Sequence, residues 1–344
     1  MSATGTLAVS RLAPGILRAA GFGSRGPVAS VTRLAGGSKK GVYRLGCSDG
    51  FSAVLYVWSA AEDYWPASSD GDGDGVFGHA SGLELFSACS RRLTEAGVRV
   101  PRVYLEDGSR ALHPDDIALV EDVTGGTLEE LLSTDVAAAL PVLERLGETL
   151  RLMWQRRAAC PGKVVNVVEV VGDAVGAPDS AGAPGSVGAS SAEIVLERAL
   201  RHLARAADRV PAVASVRPQL DETLRALAAS VRPRHEYALI HGELGPDHVS
   251  IDDRGQPVVV DIEGAMYFDV EWEHAFLRLR FGRHYGSLRV SGLDERRMSL
   301  YTLALDLSLI EGPLRLLDGD YPERELMLAI AAAAVDRVLE AARR

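Results

Sequence analysis

Two carboxylates and two histidines around residue 250 have the types and spacing to do chemistry. The strand-like run Tyr237-Ala238-Leu239-Ile240 leads into His241-Gly242-Glu243-Leu244-Gly245-Pro246-Asp247-His248. The short run Val249-Ser250-Ile251 follows, Asp252-Asp253-Arg254-Gly255 makes a turn, and Val258-Val259-Val260 returns as an antiparallel partner ahead of Asp261-Ile262-Glu263-Gly264. This loop–hairpin–loop predicts that Glu243 and Asp261 sit at the same end of one hairpin and face one cleft. Phosphoryl transfer asks for such a pair: a carboxylate beside the acceptor hydroxyl, and hard oxygen ligands for magnesium on the phosphates. Each residue also has an ordinary reading. Glu243 alone would be a surface loop carboxylate, and His241 would pack and hydrogen-bond its loop. His248 is open between metal ligand, phosphate donor and loop filler. Asp261, at a strand end, is the first metal candidate, and Glu263 is either a second ligand or the partner of a nearby arginine.

The elements that must position these residues are legible from pattern. Residues 28–58 alternate in the strand manner around the break Gly36-Gly37-Ser38-Lys39-Lys40-Gly41, and Val54-Leu55-Tyr56-Val57-Trp58 is a strong strand. An acidic loop with Asp70, Asp72, Asp74 and Gly75 imitates the start of a calcium loop. The position that needs a bidentate Glu holds Ser81, so it reads as a flexible acidic loop. A helix is predicted from about Gly82 to Glu95, with Leu83, Phe86 and Leu93 on a buried face. Strands follow at Arg102–Leu105 and Ile117–Glu121. Thr127 is a candidate N-cap, and Leu143, Leu146, Leu150 and Met153 mark the next helix. Residues 171–190, rich in Gly, Ala, Ser and Pro, read as a flexible insert. Ser190 and Glu193 then form a capping box ahead of an apolar face of Leu196, Leu200 and Leu203. Leu220, Leu224, Leu227 and Val231 mark a further helix. Beyond Trp272 the chain reads as helical, ending in an Ala-rich helix from about Glu323; Trp272 and Phe276 read as core.

Composition narrows the class. The 344 residues are 47 % hydrophobic and 24 % charged, with a formal net charge of −10. No basic cluster suggests nucleic acid, and no apolar run suggests a membrane span. Cys47, Cys89 and Cys160 are odd in number and far apart, which fits a reducing, cytoplasmic setting. The acidic balance would suit a cationic small molecule, although it mostly serves solubility. Lysine is scarce: the chain has only Lys39, Lys40 and Lys163.

Taken in order, the motifs resemble those of the aminoglycoside phosphotransferases and choline kinases. His241, Glu243 and His248 stand where a kinase catalytic loop has His, Asp and Asn, and Asp261 stands where the magnesium-binding Asp belongs. Phe268-Asp269-Val270-Glu271-Trp272-Glu273-His274-Ala275 looks like a variant of the family segment that follows. Leu34-Ala35-Gly36-Gly37-Ser38 with Val42-Tyr43-Arg44-Leu45 resembles the nucleotide-covering hairpin, Glu84 lies on the helix of the lysine-pairing Glu, and Glu121-Asp122-Val123 resembles the adenine hinge. The resemblance implies an α+β, two-lobed protein-kinase-like fold. It gives an N-terminal extension at 1–27, a mainly β N-lobe at 28–122 and a mainly helical C-lobe at 123–344. It implies ATP and Mg²⁺ as cofactors and a hydroxyl-bearing small molecule as acceptor. Glu243 and His241 would belong to the catalytic loop. Asp261, His248 and Glu263 would belong to the metal site. Gly36, Gly37, Ser38, Lys39, Lys40, Tyr56, Glu84, Glu121 and Val123 would line the nucleotide. Three positions depart from the pattern: Glu243 replaces Asp, His248 replaces Asn, and Tyr56 stands where the strand lysine belongs. These departures keep two other readings open, a kinase-like scaffold that presents a substrate to a partner enzyme, and a kinase acting on Ser or Thr of a peptide.

Overall fold

A computed structural model describes residues 3–34, 37–65, 75–169 and 189–343. Gly36, Asp70, Asp72, Asp74 and nearly all of the predicted 171–190 insert lie outside the described residues. The chain opens with helix α1 (Ala3–Leu17), then strands β1 (Val28–Arg33), β2 (Gly41–Cys47) and β3 (Ser52–Trp58). Helix α2 (Leu83–Glu95), β4 (Val103–Asp107), β5 (Asp116–Glu121), α3 (Leu128–Thr134) and α4 (Val136–Gln155) follow. Next come β6 (Arg157–Ala158), β7 (Gly162–Lys163), α5 (Ser191–Arg209), α6 (Pro211–Ser215), α7 (Arg217–Ser230) and β8 (Tyr237–Ile240). The hairpin β9 (Val249–Ile251) and β10 (Pro257–Val259) leads to β11 (Met266–Phe268), α8 (Val270–Phe281), α9 (Glu295–Leu316) and α10 (Arg324–Ala341). No helix among the described residues is long and apolar enough to cross a membrane.

Contacts divide the chain into two units. The first holds residues 1–146, 246–263 and 318–322. Its sheet is antiparallel, in the order β1-β2-β3-β5-β4. β3 is central and buried from Ala53 to Val57, as its β-branched and aromatic residues require. Val9, Ala13, Ile16 and Leu17 of α1 pack with Tyr43, Leu45, Leu55 and Ile117, so the N-terminal extension forms part of this core. Phe86 of α2 meets Tyr56 edge-on, with ring centroids 5.4 Å apart. The antiparallel β9–β10 hairpin forms with Val258 opposite Ser250, its second strand at Pro257–Val259, one residue earlier than the expected 258–260. Asp252 Oδ1 accepts from the N–H groups of Arg254 and Gln256 to close its turn.

The second unit holds residues 147–245, 264–317 and 323–344. Its small antiparallel sheet runs β6-β8-β11-β7, with Ile240 opposite Met266. The helices pack α5 on α9 and α7, and α9 on α8 and α10. Ser190 and Glu193 form the predicted capping box of α5. The buried stripe of α5 is Ala192, Val195, Ala199, Leu203 and Ala206, with Leu196 and Leu200 only half-buried. The leucine-centred face is thus turned by about one position, because small alanines line the side that α9 approaches. A buried ionic knot fixes three helices: Asp269 accepts from Ser191 Oγ at 2.6 Å, from Arg297 Nη1 at 2.5 Å and from the Tyr301 hydroxyl.

Candidate active site

In the first unit, a lysine stands between the two acidic residues of the second loop. Gly37 makes the turn possible, since a Cβ there would lie 2.5 Å from the Lys40 carbonyl oxygen. A Cβ on Gly41 would lie 2.7 and 2.9 Å from side-chain atoms of Tyr43 and Glu62, which would have to shift to admit it. The turn leaves Lys40 at the head of β2, nearly buried. Its Nζ donates to Asp261 Oδ1 at 3.0 Å and to Glu263 Oε1 at 2.5 Å. The same Nζ lies 5.1 Å from the centre of the Tyr56 ring. Asp261 directly follows the hairpin, held by the Val260 N–H donating to His248 O at 3.0 Å. Asp261 adopts a left-handed backbone, φ 56°, a conformation that is rare outside glycine and that clusters at functional sites.

The electrostatics follow from these distances. The Lys40 ammonium holds the Asp261 carboxyl well below the usual carboxylate range, against the opposing cost of desolvation, with His248 and Lys39 adding to it. Burial works to deprotonate Lys40, but Glu263 and then Asp261 outweigh it and raise its pKa above the ordinary lysine value. Burial pushes Tyr56 up to about 12, with Lys40 pulling the other way, so the phenol is neutral at physiological pH. The side chain of Asp261 is 48 % exposed while that of Glu263 is 6 % exposed. Glu263 Oε2 is buried and has no hydrogen-bond partner among the described residues. His248 Nε2 is 3.9 Å from Asp261 Oδ2 and 3.6 Å from Asp247 Oδ2.

The other sequence candidates of this unit have plain positions. Ser38 Oγ accepts from Trp65 Nε1 at 3.0 Å, and the Lys39 carbonyl accepts from Ser81 Oγ at 3.1 Å. Glu84 is exposed in the first turn of α2, and the carboxylates that pair with Lys40 are Asp261 and Glu263. Glu121 holds Arg99 Nη2 through both carboxylate oxygens at 2.7 Å, and Val123 is half-buried in the segment that follows.

In the second unit, the loop carrying Glu243 is held from beneath by Glu273 of α8. Glu273 Oε2 accepts from the His241 N–H at 2.5 Å and from the Gly242 N–H at 3.2 Å. Trp272 Nε1 donates to the Gly242 carbonyl at 3.0 Å. Gly242 has φ 95°, and a Cβ there would lie 2.8 Å from Met266 Cε and 2.9 Å from the Gly264 carbonyl oxygen, so only glycine fits. Burial pushes the Glu273 carboxyl up, opposed by His241 and by the loop N–H groups. His241 is fully buried. Glu243 is half-buried, with Oε1 3.4 Å from where a Cβ on Gly264 would stand. Trp272 is core, as expected, and packs on Phe268, Phe276 and Tyr301. Glu273 was not singled out as a site residue by the sequence. Its signal was faint: one acid between two aromatic-type residues, in the part of the helix, Glu271 to Ala275, that is buried.

The profile of the Phosphotransferase enzyme family (APH) matches residues 77–297, and the chain belongs to that family. It is a kinase-like phosphotransferase in class, with the α+β protein-kinase-like fold. No curated protein matches the sequence. Among solved structures, the chain is similar to a thermostable mutant of aminoglycoside phosphotransferase APH(4)-Ia, with TM-score 0.58, 16 % identity, and coverage of 96 % of this chain and 99 % of that one. It is also similar to spectinomycin phosphotransferase APH(9)-Ia in complex with ADP and spectinomycin, with TM-score 0.58, 11 % identity, and coverage of 97 % and 98 %. A further variant of the thermostable mutant, in a ternary complex with AMP-PNP and hygromycin B, gives TM-score 0.56, 17 % identity, and coverage of 94 % and 97 %.

Proposed function

We propose that this chain transfers the γ-phosphoryl group of ATP to a hydroxyl of a small molecule. The observation that carries the reading is the pair of acidic residues after the hairpin. Asp261 is half-exposed, and Glu263 beside it keeps a buried oxygen with no hydrogen-bond partner among the described residues. Among the described residues no group of three or more His, Cys, Asp or Glu side chains could hold a metal by itself. That suits magnesium, which takes one or two carboxylates and completes its shell with phosphate and water. Asp261 and Glu263 would hold the ion; the His248 imidazole is a softer ligand that suits magnesium poorly. When bound, the metal supplies positive charge against the phosphate oxygens.

The remaining roles fall to the chain's own groups. Glu243 would orient the acceptor hydroxyl and accept its proton, and Glu273 would keep its loop in place. Gly36, Gly37, Ser38 and Lys39 would cover the phosphates, while the backbone at Glu121 and Val123 would meet the adenine. The nucleotide and antibiotic complexes of the similar structures support ATP and a small-molecule acceptor as the classes to test. The neutral Tyr56 and the substituted Glu243 and His248 favour a second reading, a kinase-like scaffold that binds without transfer.

The test is calorimetry with ATP with and without Mg²⁺, followed by transfer to a panel of hydroxylated compounds. Asp261→Ala should remove the Mg²⁺-dependent affinity. Glu243→Gln should keep nucleotide affinity and cut transfer by at least about a hundredfold, the ordinary scale of acid–base help. Failure of the wild type to bind millimolar ATP or GTP, or wild-type turnover by Asp261→Ala, would defeat the reading.

A further inference from the structure

We propose that Lys40 is the residue that grips the nucleotide phosphates, working from the head of β2 across the face of Tyr56, which occupies the strand position but carries no charge. The inference rests on the phosphotransferase reading above. Val42 pairs with Tyr56 in the β2–β3 register. Lys40 lies two residues before Val42, so Lys40, Val42 and Tyr56 project from one face of the sheet. The ammonium, 5.1 Å from the Tyr56 ring centre, thus lies over the side chain at position 56 on that face. Supply points the same way. Of the three lysines, Lys163 is in β7 of the other unit, and Lys39 is one residue away from the facing position.

The contacts of Lys40 suit a phosphate grip. An ammonium has three donors, and two of them are used on Asp261 and Glu263. The two carboxylates fix the ammonium next to the oxygens proposed to hold magnesium, so one cation and two anions form a preset cradle. The bland account is that Lys40 only neutralises those carboxylates. The two accounts differ in what they predict for ligands with and without phosphates.

The experiment compares Mg-ATP with adenosine, by calorimetry on the full chain. Lys40→Met should weaken Mg-ATP by at least about tenfold, the scale of one charge-assisted hydrogen bond, and leave adenosine within about twofold. The double variant Lys40→Met with Tyr56→Lys should regain at least about threefold of the lost Mg-ATP affinity, since both positions serve the same face. Equal loss for both ligands, no loss for either, or a double variant no better than the single one would overturn the inference. Should circular dichroism show Lys40→Met unfolded, Lys40→Arg takes its place. Its guanidinium still neutralises the carboxylates but presents a planar fork in place of a compact ammonium, so Mg-ATP should weaken by about threefold or more with adenosine unchanged, and parallel behaviour would again overturn it. A wild type that binds neither ligand defeats the phosphotransferase reading and this inference together; normal wild-type binding with an unaffected Lys40→Met defeats this inference alone.

Discussion

Replacing Glu273 by alanine should loosen the loop that carries Glu243. Two backbone N–H groups, of His241 and Gly242, lose their shared acceptor inside a buried site. Leaving a buried donor without a partner costs ~1–3 kcal/mol. The 2.5 Å bond from His241 belongs at the upper end of that range and the 3.2 Å bond from Gly242 at the lower end. The removed side chain also leaves a cavity, which brings the expected loss of stability to about 4–5 kcal/mol. That is a large share of the ~5–15 kcal/mol that holds a folded protein. Glu273→Gln retains a carbonyl acceptor, and burial already disfavours the charge at this position, so its cost should be about 1 kcal/mol. Urea denaturation followed by circular dichroism measures both variants, and amide hydrogen exchange at His241 and Gly242 reports the loop directly. An alanine variant within about 1 kcal/mol of wild type, with unchanged exchange at those two amides, would refute the claim that Glu273 anchors the loop.

Two further perturbations follow from buried groups. Arg297→Met should cost ~3–5 kcal/mol in urea denaturation, because it strips a buried guanidinium from Asp269 and leaves that carboxylate with Arg234 at 3.4 Å as its remaining cation. His274 is fully buried, and burial drives its pKa down to about 4. The neutral imidazole therefore stabilises fully above the unfolded value of about 6.5, and this contribution is lost as pH falls from there toward 4, by ~2 kcal/mol between pH 7 and pH 5. His274→Phe should flatten stability over that window relative to wild type; the variant comparison is needed because His202 is held neutral by burial and nearby arginines in the same way. An unchanged slope would show that His274 is not the titrating group.

The hairpin was legible because its signals agree with one another. Short apolar runs on both sides of the Asp252-to-Gly255 turn call for an antiparallel pair, and β9–β10 is one, with its second strand one residue early. The N-cap at Thr127 and the capping box of Ser190 and Glu193 were legible for the same reason, and the structure extends the first into a full box with Glu130. What the sequence left open was direction. Lys39 and Lys40 are equivalent as letters, and the turn after Gly37, which passes close to the Lys40 carbonyl, leaves Lys40 aimed at Asp261 and Glu263. The packing of α1 was hidden by Arg11, Pro14 and Arg18, which break the apolar run, although Val9, Ala13, Ile16 and Leu17 recur at helical spacing and are buried. Glu273 was hidden by the opposite cause. A lone acid in a helix reads as a solvated charge, and its value comes from backbone donors 31 and 32 residues earlier in the chain.

The three substitutions at the family positions look different once charge is counted by place rather than by residue. On the proposed reading, Tyr56 leaves β3 without the cation that the family resemblance places there, and Lys40 offers one to the same sheet face from the head of β2. A compact ammonium on a long stem can reach a common point from either strand, whereas an Asp or Glu fixed to a short loop cannot move so freely. Asp261 sits at the strand end in its left-handed conformation, and Glu243 lies on a loop that Gly242 and Glu273 hold. Backbone that leaves no room for a Cβ is the harder feature to relocate, and Gly37 and Gly242 each have it. On the proposed reading, the group supplied from a different strand is the flexible cation, while the acids stay on their loops. A fixed backbone frame permits this, because a long side chain can reach one point from more than one strand.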